Sequence, residues 1–142
     1  EGRVFEHHWG RTITAGDNAA FTTQTLSFCP LYFNEPYAQS LGHPRTLVNP
    51  LLVFNTVFGM SVEDLSEGGG PFLGVDECNF TIPVYIGDTL TARSTVVATR
   101  ESKSQQGFGI VTWHSEGFNG ENALVIEFNR TNLVRKRTLT GA

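Results

Sequence analysis

The chain has 142 residues, of which 39% are hydrophobic and 17% charged, and its formal net charge is −4 at pH 7. These values are typical of an ordinary globular protein, and we predict a single domain over residues 1–142. The negative charge argues against a nucleic-acid partner. The longest apolar region, residues 47–60, is too short and too interrupted to cross a membrane.

The only cysteines are Cys29 and Cys78, which are too few for a disulfide framework in a chain of this size. Because no signal peptide is visible either, we predict a cytoplasmic location. The adjacent histidines His7 and His8 lack the spacing of metal ligands. We therefore predict neither a metal site nor a cofactor.

Capping residues mark the first two predicted helices. Thr14 and Asp17 form a variant of the capping box, which predicts a helix from there to about Leu26. Asn34 is a good N-cap, and it precedes the segment EPYAQSLG at residues 35–42. That segment is predicted to form a second, short helix that ends at its glycine.

The pair Asn49-Pro50 predicts the start of a third helix by the same reasoning. Its apolar side chains cover nearly the whole circumference, which predicts a buried helix that other elements must wrap. These apolar residues are Leu51, Leu52, Val53, Phe54, Val57, Phe58 and Met60.

The second half of the chain alternates between apolar and polar residues. This period of two predicts strands in residues 77–82, 89–99, 108–118 and 122–135, with Gly- or Asn-containing turns between them. Helices followed by an antiparallel meander indicate an α+β fold, in which one curved sheet rolls around one buried helix.

Several segments resemble the MaoC-like dehydratases, also called (R)-specific enoyl-CoA hydratases, whose fold is the hot-dog fold. The matching segments are GRTITAGDNAAFT (10–22), EPYAQSLG (35–42), LVNPLLVFNTVFGMSVEDLS (47–66), PVYIGDTLTARSTV (83–96) and GIVTWHSEGFN (109–119). Within that family, the segments in residues 35–66 and the closing LVRKR are similar to the first half of the two-domain mesaconyl-CoA hydratases. The resemblance implies the hot-dog fold and an acyl-CoA groove.

The resemblance also implies where the catalytic loop lies. The family's hydration loop reads Asp-x-Asn-Pro-x-His, and its Asp and His activate the water that adds to the double bond. Aligned on Pro30 of LSFCPLYFN (26–34), those positions hold Ser27 and Tyr32, and the loop Asn becomes Cys29. We call residues 26–34 the loop segment. It contains neither a carboxylate nor an imidazole.

Six residues are therefore candidates for the site. We predict Tyr32 as the proton-handling group, with Ser27 and Asn49 as donors to the water or the thioester. The family places a serine of the central helix at Phe58, followed by Gly59, and we predict that these two and Cys29 contact the substrate. Three of the six candidates also have a structural explanation: Tyr32 as an aromatic filler, Asn49 as a helix cap and Cys29 as an inert thiol.

Two functions remain open. In the first, the chain is itself a hydratase or dehydratase of a short branched or dicarboxylic enoyl-CoA such as mesaconyl-CoA. In the second, it is a non-catalytic hot-dog subunit that binds acyl-CoA and pairs with a catalytic subunit. A thioesterase would need a carboxylate on the central helix, and residues 50–60 contain none. Both leading functions predict a homo- or hetero-oligomer and an acyl-CoA thioester as ligand, with the basic residues 135–137 near the CoA phosphates or simply solvated.

Overall fold

A computed structural model describes residues 1–137 of the chain. Four long strands follow three helices, as the sequence predicts, and two short strands precede them. The elements are β1 (Val4–Glu6), β2 (Arg11–Thr12), α1 (Ala15–Thr25), α2 (Glu35–Ser40), α3 (Pro50–Leu65), β3 (Phe72–Phe80), β4 (Thr89–Glu101), β5 (Phe108–Phe118) and β6 (Leu124–Arg135).

All strand pairs are antiparallel. The sheet runs β1-β4-β5-β6-β3, and β2 also pairs with β4. The inner face of the sheet packs on α3, where Val53 and Val57 contact a core that includes Leu90, Ile126 and Phe128. This arrangement confirms the predicted α+β hot-dog fold, with an antiparallel sheet around a central helix.

The predicted capping of α1 is confirmed. The Thr14 side chain accepts a hydrogen bond from the Asp17 backbone, and the Asp17 carboxylate accepts one from the Thr14 backbone. These bonds, the Thr14 backbone bond first and an additional one from Arg11, hold the pKa of Asp17 below its ordinary value. The negative charge is thereby fixed at the positive end of the helix dipole.

Within the described chain, one side of α3 is buried and the other is open. Val53, Val57 and Met60 are buried, but Leu51 is 54% exposed and Asn55 and Gly59 are also exposed. A single rolled sheet can cover only one side of a cylinder, so the opposite side of α3 stays open in the isolated chain. An open apolar face on a central helix is suited to a partner.

The strand predicted in residues 77–82 is longer and less buried than its alternating pattern indicates. β3 is the last strand of the sheet, and its register against β6 shifts twice, between Phe72 and Gly74 and between Asp76 and Asn79. Phe72 and Phe80 are 51% and 44% exposed. The alternation fails to predict burial here because the far side of an edge strand has no neighbour within residues 1–137.

Gly117 on β5 marks a close approach of the sheet to α3. A Cβ atom there would lie 2.6 Å from a Val57 methyl and 2.8 Å from an Ile126 methyl. Both neighbours belong to the buried core, so they have little room to move.

We therefore expect Gly117→Ala to lower the free energy of unfolding by about 1–3 kcal/mol, because overpacking forces shifts in the core. Gly74→Ala is the matched control, since a Cβ there meets nothing within 4 Å. The control is expected to change stability by under about 1 kcal/mol. Urea denaturation measures both, and equal effects would contradict the close approach.

Candidate functional site

The loop segment folds into a series of tight turns. The Ser27 backbone N–H donates to the Thr22 carbonyl at 3.0 Å, and the Tyr32 N–H donates to the Cys29 carbonyl at 3.0 Å. Residues Pro30–Tyr32 form one turn of 3-10 helix. The Leu31 carbonyl then accepts a bond from Leu47, which sets the loop segment beside the start of α3.

Asn18 on α1 fixes this arrangement, and the sequence analysis missed it. Its side-chain amide donates to the carbonyls of Tyr32, at 2.7 Å, and Leu47, at 2.9 Å. Its side-chain oxygen accepts from the Asn49 backbone N–H at 2.9 Å. Asn18 is fully buried. One side chain thus joins α1, the loop segment and the start of α3.

The same link joins the Tyr32 carbonyl to the Asn49 backbone through Asn18, but the chemistry of the Tyr32 phenol is limited. Burial first, and the neighbouring Cys29 thiol second, raise the pKa of the Tyr32 phenol above its ordinary value. A raised pKa keeps the phenol protonated at neutral pH, so Tyr32 is suited to donate a hydrogen bond and unsuited to act as a base. Its catalytic role stays a prediction.

Ser27 is held by the end of α1. Its hydroxyl accepts a hydrogen bond from Thr25 at 3.1 Å, and its backbone N–H is already bonded to α1. These contacts account for the residue without a ligand. Its role as a water or thioester donor stays a prediction.

Asn49 is both a cap and an available donor. Its side-chain oxygen accepts the Leu51 N–H at 3.0 Å, which confirms the helix-cap interpretation. Its side-chain nitrogen is buried and has no hydrogen-bond partner within residues 1–137. The Thr22 hydroxyl, one helical turn after Asn18, is buried and unpartnered as well. Buried polar groups without partners are costly, so both atoms are candidates for binding a water or a ligand oxygen.

Gly59 lies in a groove of about 610 Å³ between α1, the amino-terminal segment and α3. The α3 residues of this groove are Leu52, Asn55, Thr56, Gly59 and Met60, and facing residues include Trp9, Arg11, Asp17 and Phe21. Space is open where a Gly59 Cβ would lie. A helix rises 1.5 Å per residue, so Gly59 is about 15 Å along α3 from Asn49. One thioester group therefore cannot touch both residues, and the contact of Gly59 with the substrate stays a prediction.

Phe58 faces a different side of α3. Its ring contacts Phe54, Phe72 and Phe128, with ring centroids 5.0 to 6.4 Å away. It also covers the Arg130 guanidinium, whose central carbon is 4.2 Å from the ring centroid. Phe58 therefore does not line the groove at Gly59. Any contact of Phe58 with a substrate would lie outside this groove, and it stays a prediction.

Comparisons with known proteins identify the family. The sequence profile of the family described as mesaconyl-CoA hydratase matches residues 1–142. The chain belongs to the mesaconyl-CoA hydratase family. A mesaconyl-CoA hydratase from Haloarcula hispanica is 38% identical over 96% of this chain, and a β-methylmalyl-CoA dehydratase from Chloroflexus aurantiacus is 40% identical over 96%.

A solved structure supports the same family. The crystal structure of a MaoC domain protein dehydratase from Chloroflexus aurantiacus superposes with a TM-score of 0.91 at 39% identity, over 99% of this chain and 40% of that one. This chain spans 38% of the length of each of the two relatives named above. The recognised MaoC-like resemblance and the hot-dog fold are thus confirmed.

In this member of the mesaconyl-CoA hydratase family, the inner face of the sheet carries buried polar side chains under the second half of α3. We call this group of buried side chains the polar layer: His7, Ser61, Ser94, Ser115, Arg130 and Asn132. His7 bonds through its two ring nitrogens to Asp64, at 2.6 Å, and to Ser94, at 2.9 Å. Ser94 in turn bonds to Ser115 at 2.7 Å. These bonds join the amino-terminal segment to α3 and the sheet.

The polar layer was missed by the sequence analysis, although a signal was present. The alternation on β6 places Ile126 and Phe128 on the inner face, and the same period continues to Arg130 and Asn132. A charged residue at an inward position of a strand indicates a functional site or a buried polar network, because charged side chains are seldom fully buried.

Within residues 1–137, no group of three or more His, Cys, Asp or Glu side chains is arranged to hold a metal ion. In the same range, none of the helices combines the length and the apolar character needed to cross a membrane. Both cysteines are free thiols, Cys29 partly buried and Cys78 exposed.

Proposed function

We propose that this chain is a hot-dog half of a MaoC-like hydratase that adds water to, or removes it from, a short branched or dicarboxylic enoyl-CoA such as mesaconyl-CoA. The observation that carries this proposal is the family match over residues 1–142, with relatives named for that reaction in both directions. The proposed ligand is an acyl-CoA thioester, and no cofactor is required by the reaction.

The residues of the loop segment determine whether the water-activating groups are assigned to this chain or to a partner. Hydration of an enoyl thioester needs a base for the water, an acid for the α-carbon and donors for the thioester oxygen. Ser27 and Tyr32 replace the family's Asp and His, and the pKa of Tyr32 is raised. We therefore assign the water-activating pair to a second hot-dog half. This chain contributes a groove that binds the acyl-CoA and a surface that packs against the catalytic half.

Two exposed surfaces support the proposed partner. The open side of α3 presents Leu51, and the β3 edge presents Phe72 and Phe80 together with free backbone groups. A second hot-dog sheet that pairs with this edge would continue the sheet and cover the open helix face. Stable interfaces of this kind bury more than about 1,000 Å² in total.

The groove at Gly59 is our proposed path for the acyl-CoA, with its nucleotide toward the basic residues at the end of β6. Arg135 stacks on Phe108, and Lys136 pairs with Glu101, so these cations are held at the surface. Positive charge there favours CoA phosphates. The free thiols are compatible with the reducing cytoplasm that we propose as the location.

Calorimetry with a non-reactive saturated acyl-CoA tests the binding proposal. We expect heat and a raised melting temperature with the natural chain, and at least about tenfold weaker binding for Gly59→Leu, whose side chain fills the groove. Leu is a better helix former than Gly by roughly 0.8 kcal/mol, so the variant should fold. Gly74→Leu, at another position without neighbours within 4 Å, is the matched control. Absence of heat and of a thermal shift at millimolar ligand would contradict the proposal.

A second candidate function is autonomous hydration by this chain, with Tyr32 as the proton donor. The observation that favours it is the Asn18 link, which joins the Tyr32 carbonyl to the backbone N–H of Asn49, a residue whose side-chain nitrogen has no partner within residues 1–137. Its experiment is the Tyr32→Phe comparison argued in the Discussion.

A further inference from the structure

Arg130 is a buried cation without a counterion among residues 1–137. It is fully buried in the polar layer, yet its hydrogen-bond acceptors are all neutral. The guanidinium donates to the Ser61 hydroxyl, to the Ser66 hydroxyl at 2.9 Å and to the Asn132 side-chain oxygen at 2.9 Å. Asp64 on α3 is bonded to His7 instead.

Neutral acceptors satisfy the N–H groups of a guanidinium but leave its charge uncompensated, and an unpaired buried charge is costly. Burial lowers the pKa of Arg130 to about 10, which still leaves it charged at neutral pH. Replacement of such a residue by an apolar one would often be neutral or stabilising. Stability alone therefore does not explain the buried position of Arg130.

A second unpartnered donor lies next to this cation. Trp113 is the direct cross-strand partner of Arg130, and the guanidinium carbon is 5.6 Å from its ring. The Trp113 indole N–H is buried and has no acceptor within residues 1–137. A cation and an N–H donor on the same inner face of the sheet form a site that lacks a negatively charged acceptor.

The side chain of Phe58 lies between the Arg130 guanidinium and solvent. Its ring covers one face of the Arg130 guanidinium and is itself only half-buried. On the side away from Arg130 it meets Phe72, which is 51% exposed at the edge of the sheet. Rotation of the Phe58 side chain would open the guanidinium toward the uncovered side of α3.

We propose that Arg130 and Trp113 bind the free carboxylate of a dicarboxylic acyl group, which enters when the Phe58 ring moves aside. The inference rests on the proposed function for the CoA part of the ligand, with the acyl group reaching from the groove at Gly59 across the open side of α3 to Phe58. It adds a residue that selects dicarboxylic over monocarboxylic acyl groups. Four of the five N–H groups of Arg130 already donate to Ser61, Ser66 and Asn132. The remaining N–H and the indole N–H of Trp113 are the two donors proposed for the carboxylate oxygens, and the positive charge of the guanidinium attracts the carboxylate. The same contact gives Phe58 its predicted place at the substrate.

The experiment compares the binding of mesaconyl-CoA, which carries a free carboxylate, and crotonyl-CoA, which lacks one. We expect the natural chain to bind mesaconyl-CoA at least about tenfold more tightly, the scale of one charge-assisted contact. Arg130→Met should remove this preference, and Trp113→Phe, which keeps a ring but loses the N–H, should reduce it. Arg93→Met is the matched control, since Arg93 is a partly exposed cation paired with Glu116.

Free mesaconate gives an independent measurement, because it carries the carboxylates without CoA. We expect it to raise the melting temperature of the natural chain and of Arg93→Met, and not that of Arg130→Met. Equal binding of both thioesters would overturn the carboxylate site and leave the proposed function intact. Stabilisation by mesaconate that depends on Arg130, without binding of either thioester, would support the site and contradict the proposed function. No response to any of the three ligands would overturn both.

Discussion

Purified alone, the chain is expected to show no hydration of mesaconyl-CoA above background, and a second hot-dog half whose loop carries the Asp and His is expected to restore it. The physical reason is the loop segment, in which neither Ser27 nor a Tyr32 of raised pKa can serve as a base. General acid–base catalysis contributes about 10²–10⁴-fold, so the rate should rise by at least that factor when the partner is added.

Tyr32→Phe separates the two candidate functions, because it keeps the ring and removes only the hydroxyl. In the assembled hydratase we expect kcat to stay within about twofold of the natural value, and light scattering should show a complex of the two halves. If the chain alone hydrates mesaconyl-CoA and Tyr32→Phe lowers that kcat by about 10²–10⁴-fold, the autonomous function is supported and the paired one is contradicted.

Asn18→Ala is expected to lower the free energy of unfolding by about 3–5 kcal/mol. The substitution leaves the Tyr32 carbonyl, the Leu47 carbonyl and the Asn49 N–H without their partner, in a place where Asn18 itself is fully buried. Each buried group left unpaired costs about 1–3 kcal/mol. The contacts between α1, the loop segment and α3 should weaken together, since all three segments are held by the Asn18 side chain.

Asn55→Ala is the matched control for this measurement. Asn55 is an exposed residue of α3 whose only side-chain bond runs to the Leu51 carbonyl of its own helix, at 2.9 Å. The control is expected to change stability by no more than about 0.5 kcal/mol. Chemical denaturation measures both variants. A loss below about 1 kcal/mol for Asn18→Ala would show that water replaces the Asn18 amide. The packing of α1, the loop segment and α3 would then not depend on that side chain.

The helices, the strands and the fold class follow from local patterns in the sequence. The capping residues Thr14, Asn34 and Asn49 predict the starts of all three helices, because a cap acts on backbone groups two or three residues away. The alternation in residues 108–118 and 122–135 predicts β5 and β6 closely, since the side chains of a strand repeat every two residues. The departure of the loop segment from the hydration loop was also visible in the residues alone.

The contacts of each side chain, by contrast, depend on the three-dimensional fold. Asn18 reaches Leu47 and Asn49, and Arg130 reaches Ser61 across 69 positions of sequence, and no local pattern encodes such contacts. The exposure of α3 was likewise set by how far one rolled sheet extends around a helix. Local propensity acts within a few residues, whereas burial and charge compensation depend on neighbours that the fold brings from distant parts of the chain. For that reason the helices and strands could be predicted from the sequence, whereas the uncompensated cation beneath Phe58 could not.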